Sequence, residues 1–264
     1  MSDTLSTVIL GIIEGITEFL PISSTGHLLI AERWLGGRSE LFNVAIQAGA
    51  ILALALIYWR RLLDLLTRSD QPANRDYLAK LTVAFLITAA GGFLATRLGW
   101  KLPETVLPIA LAMFIGGIAI LLIEQYVAGK PAASVVTWNV ALWVGACQIL
   151  AAVFPGTSRS AATIFAAMLA GLTLRPAATE FAFLVGIPTM FAATAYELFK
   201  VRGQGGVEDW HELAVGFVIS GVVAFVAVKW LLRYVQSHRF TIFAWYRIVL
   251  GSILLVLVMQ GTLR

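Results

Sequence analysis

Glu14-Gly15-Ile16-Thr17-Glu18-Phe19-Leu20-Pro21-Ile22-Ser23-Ser24-Thr25-Gly26-His27 interrupts an otherwise apolar run from about residue 5 to 31. A proline, a glycine and a cluster of hydroxyls break a helix and supply turn hydrogen bonds. A second stretch of the same kind lies near the middle of the chain. Residues 138–172 are apolar but carry Pro155-Gly156-Thr157-Ser158-Arg159-Ser160. In lipid, irregular backbone is tolerated only where it faces protein or a water-filled cavity. Both stretches therefore read as helix, loop, returning helix: re-entrant hairpins, 5–31 and 138–172, that enter and leave on one side of a membrane.

The composition requires that membrane. Of 264 residues, 59% are hydrophobic and 13% charged, against about 45–50% and about 25% in soluble domains. Mean hydropathy is +0.85. The formal charge of +4 is too small to indicate nucleic acid, and reads instead as loop charge placed by topology. A single cysteine, Cys147, excludes an intramolecular disulfide framework and a cysteine-cluster metal site. The first thirty residues do not read as a cleavable signal, because Glu14 and Glu18 interrupt them.

Six apolar segments long enough to span a bilayer lie near 42–59, 78–98, 107–125, 177–199, 212–232 and 242–261. The chain also repeats itself. A shift of 134 places Glu14 on Gln148, Pro21 on Pro155, Ser23 on Thr157 and Ser24 on Ser158. A shift of 132 places 81–97 on 213–229 with six identities, such as Phe85/Phe217 and Ile87/Ile219. Chance would give roughly two in sequence this apolar. The expected fold is therefore all-α and polytopic, a single membrane domain over 1–264 built of two repeats, 1–130 and 131–264. Each repeat holds one hairpin and three spans, which makes the halves inverted. Eight full spans with parallel halves is the competing plan. It puts Glu14, Glu18 and Arg159 in lipid, at a high cost. On the six-span plan Arg60, Arg61, Arg68, Arg75, Lys80, Lys130, Arg175, Arg233 and Arg239 fall on one side. Arg33, Arg38, Arg97, Lys101, Lys200, Arg202 and Arg264 fall on the other. Nine against seven favours the first side as cytoplasmic.

Glu14 and Glu18, four apart, share a helix face. Two adjacent carboxylates need a cation or a shared proton, and a hard ion such as Mg²⁺ or Ca²⁺ suits oxygen ligands. Ser23, Ser24, Thr25 and His27 follow at once, offering hydroxyls and an imidazole that could reach one across a turn. Gly156, Thr157, Ser158, Arg159, Ser160 and Thr163 resemble an anion cradle, with a guanidinium to fork onto phosphate and a helix N-terminus behind it. Gln47, Glu180 and Arg247 are further polar residues in or beside spans; Glu180 could pair with Arg247 or Arg159. His211 and His238 lie at loop boundaries without such company. Together these parts suit metal-assisted phosphoryl transfer.

The Glu14 to His27 stretch and the run from Pro155 to Thr163 resemble the two motifs of the bacterial undecaprenyl-pyrophosphate phosphatases of the bacitracin-resistance type. Arg60-Arg61, the Arg175–Pro188 stretch and Tyr246-Arg247 fit as well, so the resemblance covers essentially the whole chain. It implies an enzyme of the bacterial plasma (inner) membrane, acting at the outer, periplasmic side. Such an enzyme converts undecaprenyl pyrophosphate to undecaprenyl phosphate, a lipid carrier of cell-wall assembly. The same resemblance implies a divalent cation on Glu14 and Glu18, Arg159 on the pyrophosphate, His27 as proton carrier and Ser24 as nucleophile. The motifs leave open whether a hydroxyl or water attacks. An inverted-repeat transporter or flippase of a polyprenyl phosphate or other anion is the main alternative. A transporter needs no nucleophile beside a carboxylate. A metal-independent acid-phosphatase type is a second alternative, but residues 161–172 hold no histidine for its nucleophile. The sequence leaves open whether the chain forms a homodimer.

Overall fold

The computed structural model describes residues 3–99, 105–201 and 209–262. Lys101, Arg202 and Arg264, which enter the charge comparison, lie outside the described residues. Among the described residues the secondary structure is helical throughout. The first half comprises α1 (Asp3–Thr17), α2 (Ser24–Leu35), α3 (Glu40–Ile57), α4 (Trp59–Thr67), α5 (Pro72–Arg97) and α6 (Val106–Ala128). The second comprises α7 (Trp138–Val153), α8 (Arg159–Leu169), α9 (Arg175–Val201), α10 (Trp210–Tyr234) and α11 (Thr241–Met259).

Local chemistry fixes where several of these helices begin. Ser39 caps α3 by accepting the Phe42 N–H at 3.1 Å, and Thr137 caps α7 by accepting that of Val140 at 3.3 Å. Asp209 caps α10 through the His211 N–H at 2.9 Å. Six helices, α3, α5, α6, α9, α10 and α11, are long and apolar enough to cross a bilayer, and they coincide with the six expected segments. The chain is a multi-pass membrane protein. Helix α5 begins six residues before the expected boundary at 78. Lys80 is accommodated inside it because its ammonium donates to Asp76 and, at 2.8 Å, to the Val136 carbonyl. The outward faces carry Leu56, Leu122, Val222, Trp230 and Val249 in the open, a surface suited to lipid rather than water.

Four of the five shorter helices, α1, α2, α7 and α8, pack as two joined pairs, α1 with α2 and α7 with α8. Helix α1 lies along α10, and α7 lies along α5. Close approach is made by glycine. A Cβ at Gly15 of α1 would stand 2.7 Å from the Ser220 carbonyl of α10, and one at Gly145 of α7 would stand 2.7 Å from the Ala84 carbonyl of α5. Helices α6 and α11 meet at Gly117, against the Ala244 carbonyl, and at Gly251, against that of Ala110. Exchanging α1, α2, α3, α5 and α6 for α7, α8, α9, α10 and α11 carries these contacts onto one another. The α1–α10 contact becomes α7–α5, α3–α10 becomes α9–α5, and α3–α9 and α6–α11 map onto themselves.

The main core lies where α3, α8 and α9 converge, around Leu54, Phe165, Phe181 and Leu184, and it takes in Phe19, Leu20 and Ile22 from the first break. The irregular backbone is thus packed inside the protein. These contacts give a direct stability test. Gly15→Ala forces α1 away from α10 and is expected to cost about 1–3 kcal/mol, as overpacking does. Gly92→Ala, where a Cβ meets nothing within 4 Å, is expected to be neutral or to stabilise α5 by up to about 1 kcal/mol. Thermal unfolding of the two variants in detergent measures both.

Candidate active site

Helix α1 ends at Thr17, but the Glu18 N–H still reaches the Glu14 carbonyl at 2.9 Å. The two carboxylates therefore sit one turn apart on one face, both buried. The chain then turns through Phe19–Ile22 and re-enters a helix at Ser23. Ser23 has φ 76° and Ser158 has φ 68°. They are the non-glycine residues with positive φ among the described residues. Each caps the helix that follows, its hydroxyl accepting the N–H three residues on, from Gly26 at 3.4 Å and from Ala161 at 3.3 Å. Strained backbone of this kind persists only where its surroundings over-determine it, and it gathers at functional sites. The equivalence corrects the expected register within the loops. Ser23 matches Ser158, a shift of 135, rather than Thr157. The second break carries one residue more between its proline and its cap. Ser24 is then the counterpart of Arg159, and Thr25 of Ser160.

The two breaks meet on one carboxylate. Arg159 Nη2 donates to Glu18 Oε1, and Ser24 Oγ donates to Glu18 Oε2. Arg159 lies 141 residues beyond Glu18 in the chain, so the expected convergence of the two loops is met by a direct ion pair. Glu18, Arg159, Ser160 and Thr163 line a narrow cleft closed on its other side by Phe183, Gly186 and Met190 of α9. The remaining hydroxyls of the second loop face protein. Ser160 donates to the Leu20 carbonyl at 2.9 Å, which leaves Ser158 as the donor in their 3.1 Å mutual contact. Thr163 donates to the carbonyls of Arg159 and Ser160. These groups hold α8 against the first break. Thr157 is half-buried and Thr25 is exposed at the start of α2, while Gly156, with φ 87°, presses on Ile109 and Ala112 of α6. A Cβ at Gly156 would stand 2.8 Å from the Ile109 carbonyl.

His27 faces away from Ser24. Its Nδ1 lies 2.6 Å from the Ser23 carbonyl and its Nε2 lies 2.6 Å from the Tyr246 hydroxyl, with the two rings stacked. A carbonyl can only accept, so the tautomer is assigned with the proton on Nδ1. Nε2 then accepts from Tyr246 and is the basic atom. The expected contact between a hydroxyl of the loop and the imidazole is replaced by Ser24 on Glu18, because the capping turn commits Nδ1 to the Ser23 backbone. Arg247 of α11 is fully buried. It donates to the carbonyls of Pro21 at 3.3 Å, Thr157 at 3.1 Å, Gly156 at 3.1 Å, Ala112 at 2.9 Å and Met113 at 3.4 Å. One guanidinium so fastens both breaks to α6. Glu180 pairs with neither arginine suggested for it. It accepts from Arg61 Nε at 3.2 Å, since α4 brings that cation to the same end of α9. Gln47 is half-buried on α3.

Whether a divalent cation suits Glu14 and Glu18 is tested by their oxygens. Glu14 Oε2 is buried with no hydrogen-bond partner, beside a second buried carboxylate. An orphaned anionic oxygen in that position fits a hard cation. Among the described residues these two acids have no third His, Cys, Asp or Glu beside them. Further ligands would come from substrate oxygens and water, as is usual for Mg²⁺ at phosphates.

The chain matches the family described as bacitracin resistance protein BacA over residues 7–253. It belongs to that family. It is 61% identical over 261 residues, 98% of each chain, to a protein of Rhizobium etli named undecaprenyl-diphosphatase. It is 58% identical over 259 residues, 97% of each chain, to one of the same name from Xanthomonas oryzae pv. oryzae.

Two features of this BacA-family site exceed what the motifs express. Tyr246 and Arg247 lie 219 and 226 residues from their partners His27 and Pro21. A buried arginine in an apolar span was a visible signal for the second, but nothing in sequence points Tyr246 at His27. Tyr246→Phe keeps the stacked ring and removes the hydroxyl donated to Nε2. Loss of one such hydrogen bond, about 1 kcal/mol, is expected to change turnover about fivefold and to move the pH–rate profile. A profile identical to that of the wild type would show that the contact carries no function.

Proposed function

We propose that the chain hydrolyses undecaprenyl diphosphate to undecaprenyl phosphate and inorganic phosphate, with a divalent cation held at Glu14 and Glu18. The observation that carries this reading is the sharing of the buried Glu18 carboxylate by Ser24 and Arg159. A carboxylate accepting a serine proton is placed as a general base, and a guanidinium on its other oxygen is placed to receive phosphate. A transporter needs no such pairing. The names of the relatives agree with it.

The chain's own groups define the sequence of events. The terminal phosphate draws Arg159 from Glu18, since a two-pronged fork onto phosphate oxygens replaces the single contact from Nη2 to the carboxylate. Thr25, Thr157 and the first N–H groups of α8 are the remaining donors offered to phosphate, while Ser23, Ser158, Ser160 and Thr163 hold the loops in shape. Ser24 Oγ attacks the terminal phosphorus and its proton passes to Glu18. The bond from that phosphorus to the bridging oxygen breaks, and undecaprenyl phosphate leaves as the anion. Water then attacks the phosphoserine and leaves its proton on a phosphate oxygen, while Glu18 returns a proton to Ser24 Oγ as inorganic phosphate departs. A bound divalent cation would neutralise phosphate charge and act as a Lewis acid.

We place the site toward the outer face of the bacterial plasma membrane. Ala112 of α6, which touches the second break, is six residues from Val106 and sixteen from Ala128. At 1.5 Å per residue these are about 9 Å and about 24 Å. The distant end is the one rich in Arg60, Arg61, Arg68, Arg75, Lys130, Arg233 and Arg239, the end expected in the cytoplasm. The two broken pairs are re-entrant on this reading and relate the halves as inverted repeats.

Ser24→Ala tests the proposal. Turnover of undecaprenyl diphosphate, read as inorganic phosphate, is expected to fall at least about 10²-fold, as loss of a central catalytic group does. Undiminished release would transfer the attack to water.

A further inference from the structure

A cleft of about 200 Å³ lies away from the catalytic site. It lies at the far, basic end of α6, between the end of α10 and the start of α9, and its lining includes Lys130, Thr173, Arg175, Pro176, Gln236 and Arg239. Its walls are fastened. Thr173 donates to the Pro131 carbonyl at 2.7 Å and accepts from the Ala133 N–H at 2.8 Å, and the Leu174 N–H reaches the Ala133 carbonyl at 3.0 Å. Buried Glu124 binds Arg175 through Nε and Nη2 and also accepts the Phe240 N–H at 2.9 Å. Three loop segments are so held around one guanidinium whose Nη1 edge is not engaged by Glu124. Lys130 and Arg239 stand exposed at the mouth. Three cations against one buried carboxylate leave an excess of two positive charges. The amino end of α9, a helix of 27 residues, faces the same space.

We infer that this cleft binds a phosphate group, either the headgroup of an anionic phospholipid or free inorganic phosphate, at a site separate from catalysis. The chemistry is that of phosphate recognition: a planar guanidinium oriented by a carboxylate, the exposed Arg239, the Lys130 ammonium, which also donates to the Tyr126 hydroxyl, and the amide of Gln236. Its place at a basic membrane-facing end favours the lipid source. The inference is independent of the hydrolase reading, and its test measures binding alone.

The test compares wild type with the double variant Lys130→Ala, Arg239→Ala, both purified in detergent. Both proteins keep the catalytic cleft, so a difference between them reports this one. In the first arm, native mass spectrometry follows retention of phosphatidylglycerol against phosphatidylcholine. The double variant is expected to bind phosphatidylglycerol at least about tenfold more weakly, with phosphatidylcholine unchanged. In the second arm, inorganic phosphate is added at constant ionic strength and thermal unfolding is read. A larger rise in melting temperature for wild type than for the double variant, seen in this arm alone, assigns free phosphate as the ligand. Equal melting in chloride shows that the double variant is folded; if it is not, Arg239→Glu alone serves in both arms. Arg233→Ala, exposed at the same end but outside the cleft, is expected to leave both readings at the wild-type value. No difference in either arm, or an equal loss in Arg233→Ala, overturns the inference.

Discussion

Arg159→Ala is expected to lower phosphate release at least about 10²-fold, the usual consequence of removing a group that stabilises transition-state charge. Two effects combine at this residue. Arg159 is the cation placed to take the terminal phosphate, and it is also the partner of Glu18, whose side chain is 4% exposed. Deleting it leaves a buried carboxylate unpaired, which costs about 3–5 kcal/mol when no other cation compensates. The two effects separate in a double variant. Glu18→Gln with Arg159→Ala removes the uncompensated charge and is expected to restore the melting temperature, which isolates the stability effect; turnover stays low because the general base is lost as well. Arg159→Lys keeps the charge but loses the fork, and is expected to recover only part of the rate. Turnover and thermal unfolding of wild type, Glu18→Gln, Arg159→Ala and the double variant form a cycle. Recovery of activity together with stability in the double variant would remove both Glu18 and Arg159 from the chemistry.

Arg247→Lys is expected to lose a similar factor by another route. Arg247 touches no catalytic group, yet its donors reach the carbonyls of Pro21, Gly156 and Thr157, one from the first break and two from the second. A lysine has three donors on one nitrogen and cannot span the five carbonyls that the guanidinium serves. Each buried carbonyl left unpaired costs about 1–3 kcal/mol. The consequence for chemistry is looser register between Ser24 and Arg159. A displacement of about 1 Å at a reacting centre is worth about 10²-fold. The loss should fall on kcat with KM little changed, accompanied by a lower melting temperature. A lysine variant with normal kcat would remove Arg247 from the positioning of the site.

Much of this was legible in sequence because charge is scarce. Glu14, Glu18 and Arg159 stand out against apolar flanks, and the six spans are set by length and hydropathy alone. Helix breaks at Pro21 and Pro155 were equally visible. What the sequence hid depends on side-chain direction and on distance along the chain. The one-residue slip that matches Ser23 with Ser158 arises inside the loops, where a repeat alignment has no periodicity to guide it. Ser24 turns to Glu18 instead of His27 because the capping turn spends Nδ1 on backbone. The hydroxyls of Ser158, Ser160 and Thr163 read as phosphate donors by type, whereas their hydrogens are directed at protein acceptors. Glu180 pairs with Arg61 and not with Arg247 or Arg159, a match hidden because α4, a short amphipathic helix carrying Arg61, gives no span signal in the sequence.

The most direct measurement is inorganic phosphate release from undecaprenyl diphosphate by the purified chain after chelation and during titration with Mg²⁺ or Ca²⁺. Release should be absent in chelator, return with the cation, match the undecaprenyl phosphate formed, and vanish in Arg159→Ala. No release above the Arg159→Ala background, or full release with every divalent ion removed, would contradict a metal-assisted phosphatase built on Glu14, Glu18, Ser24 and Arg159.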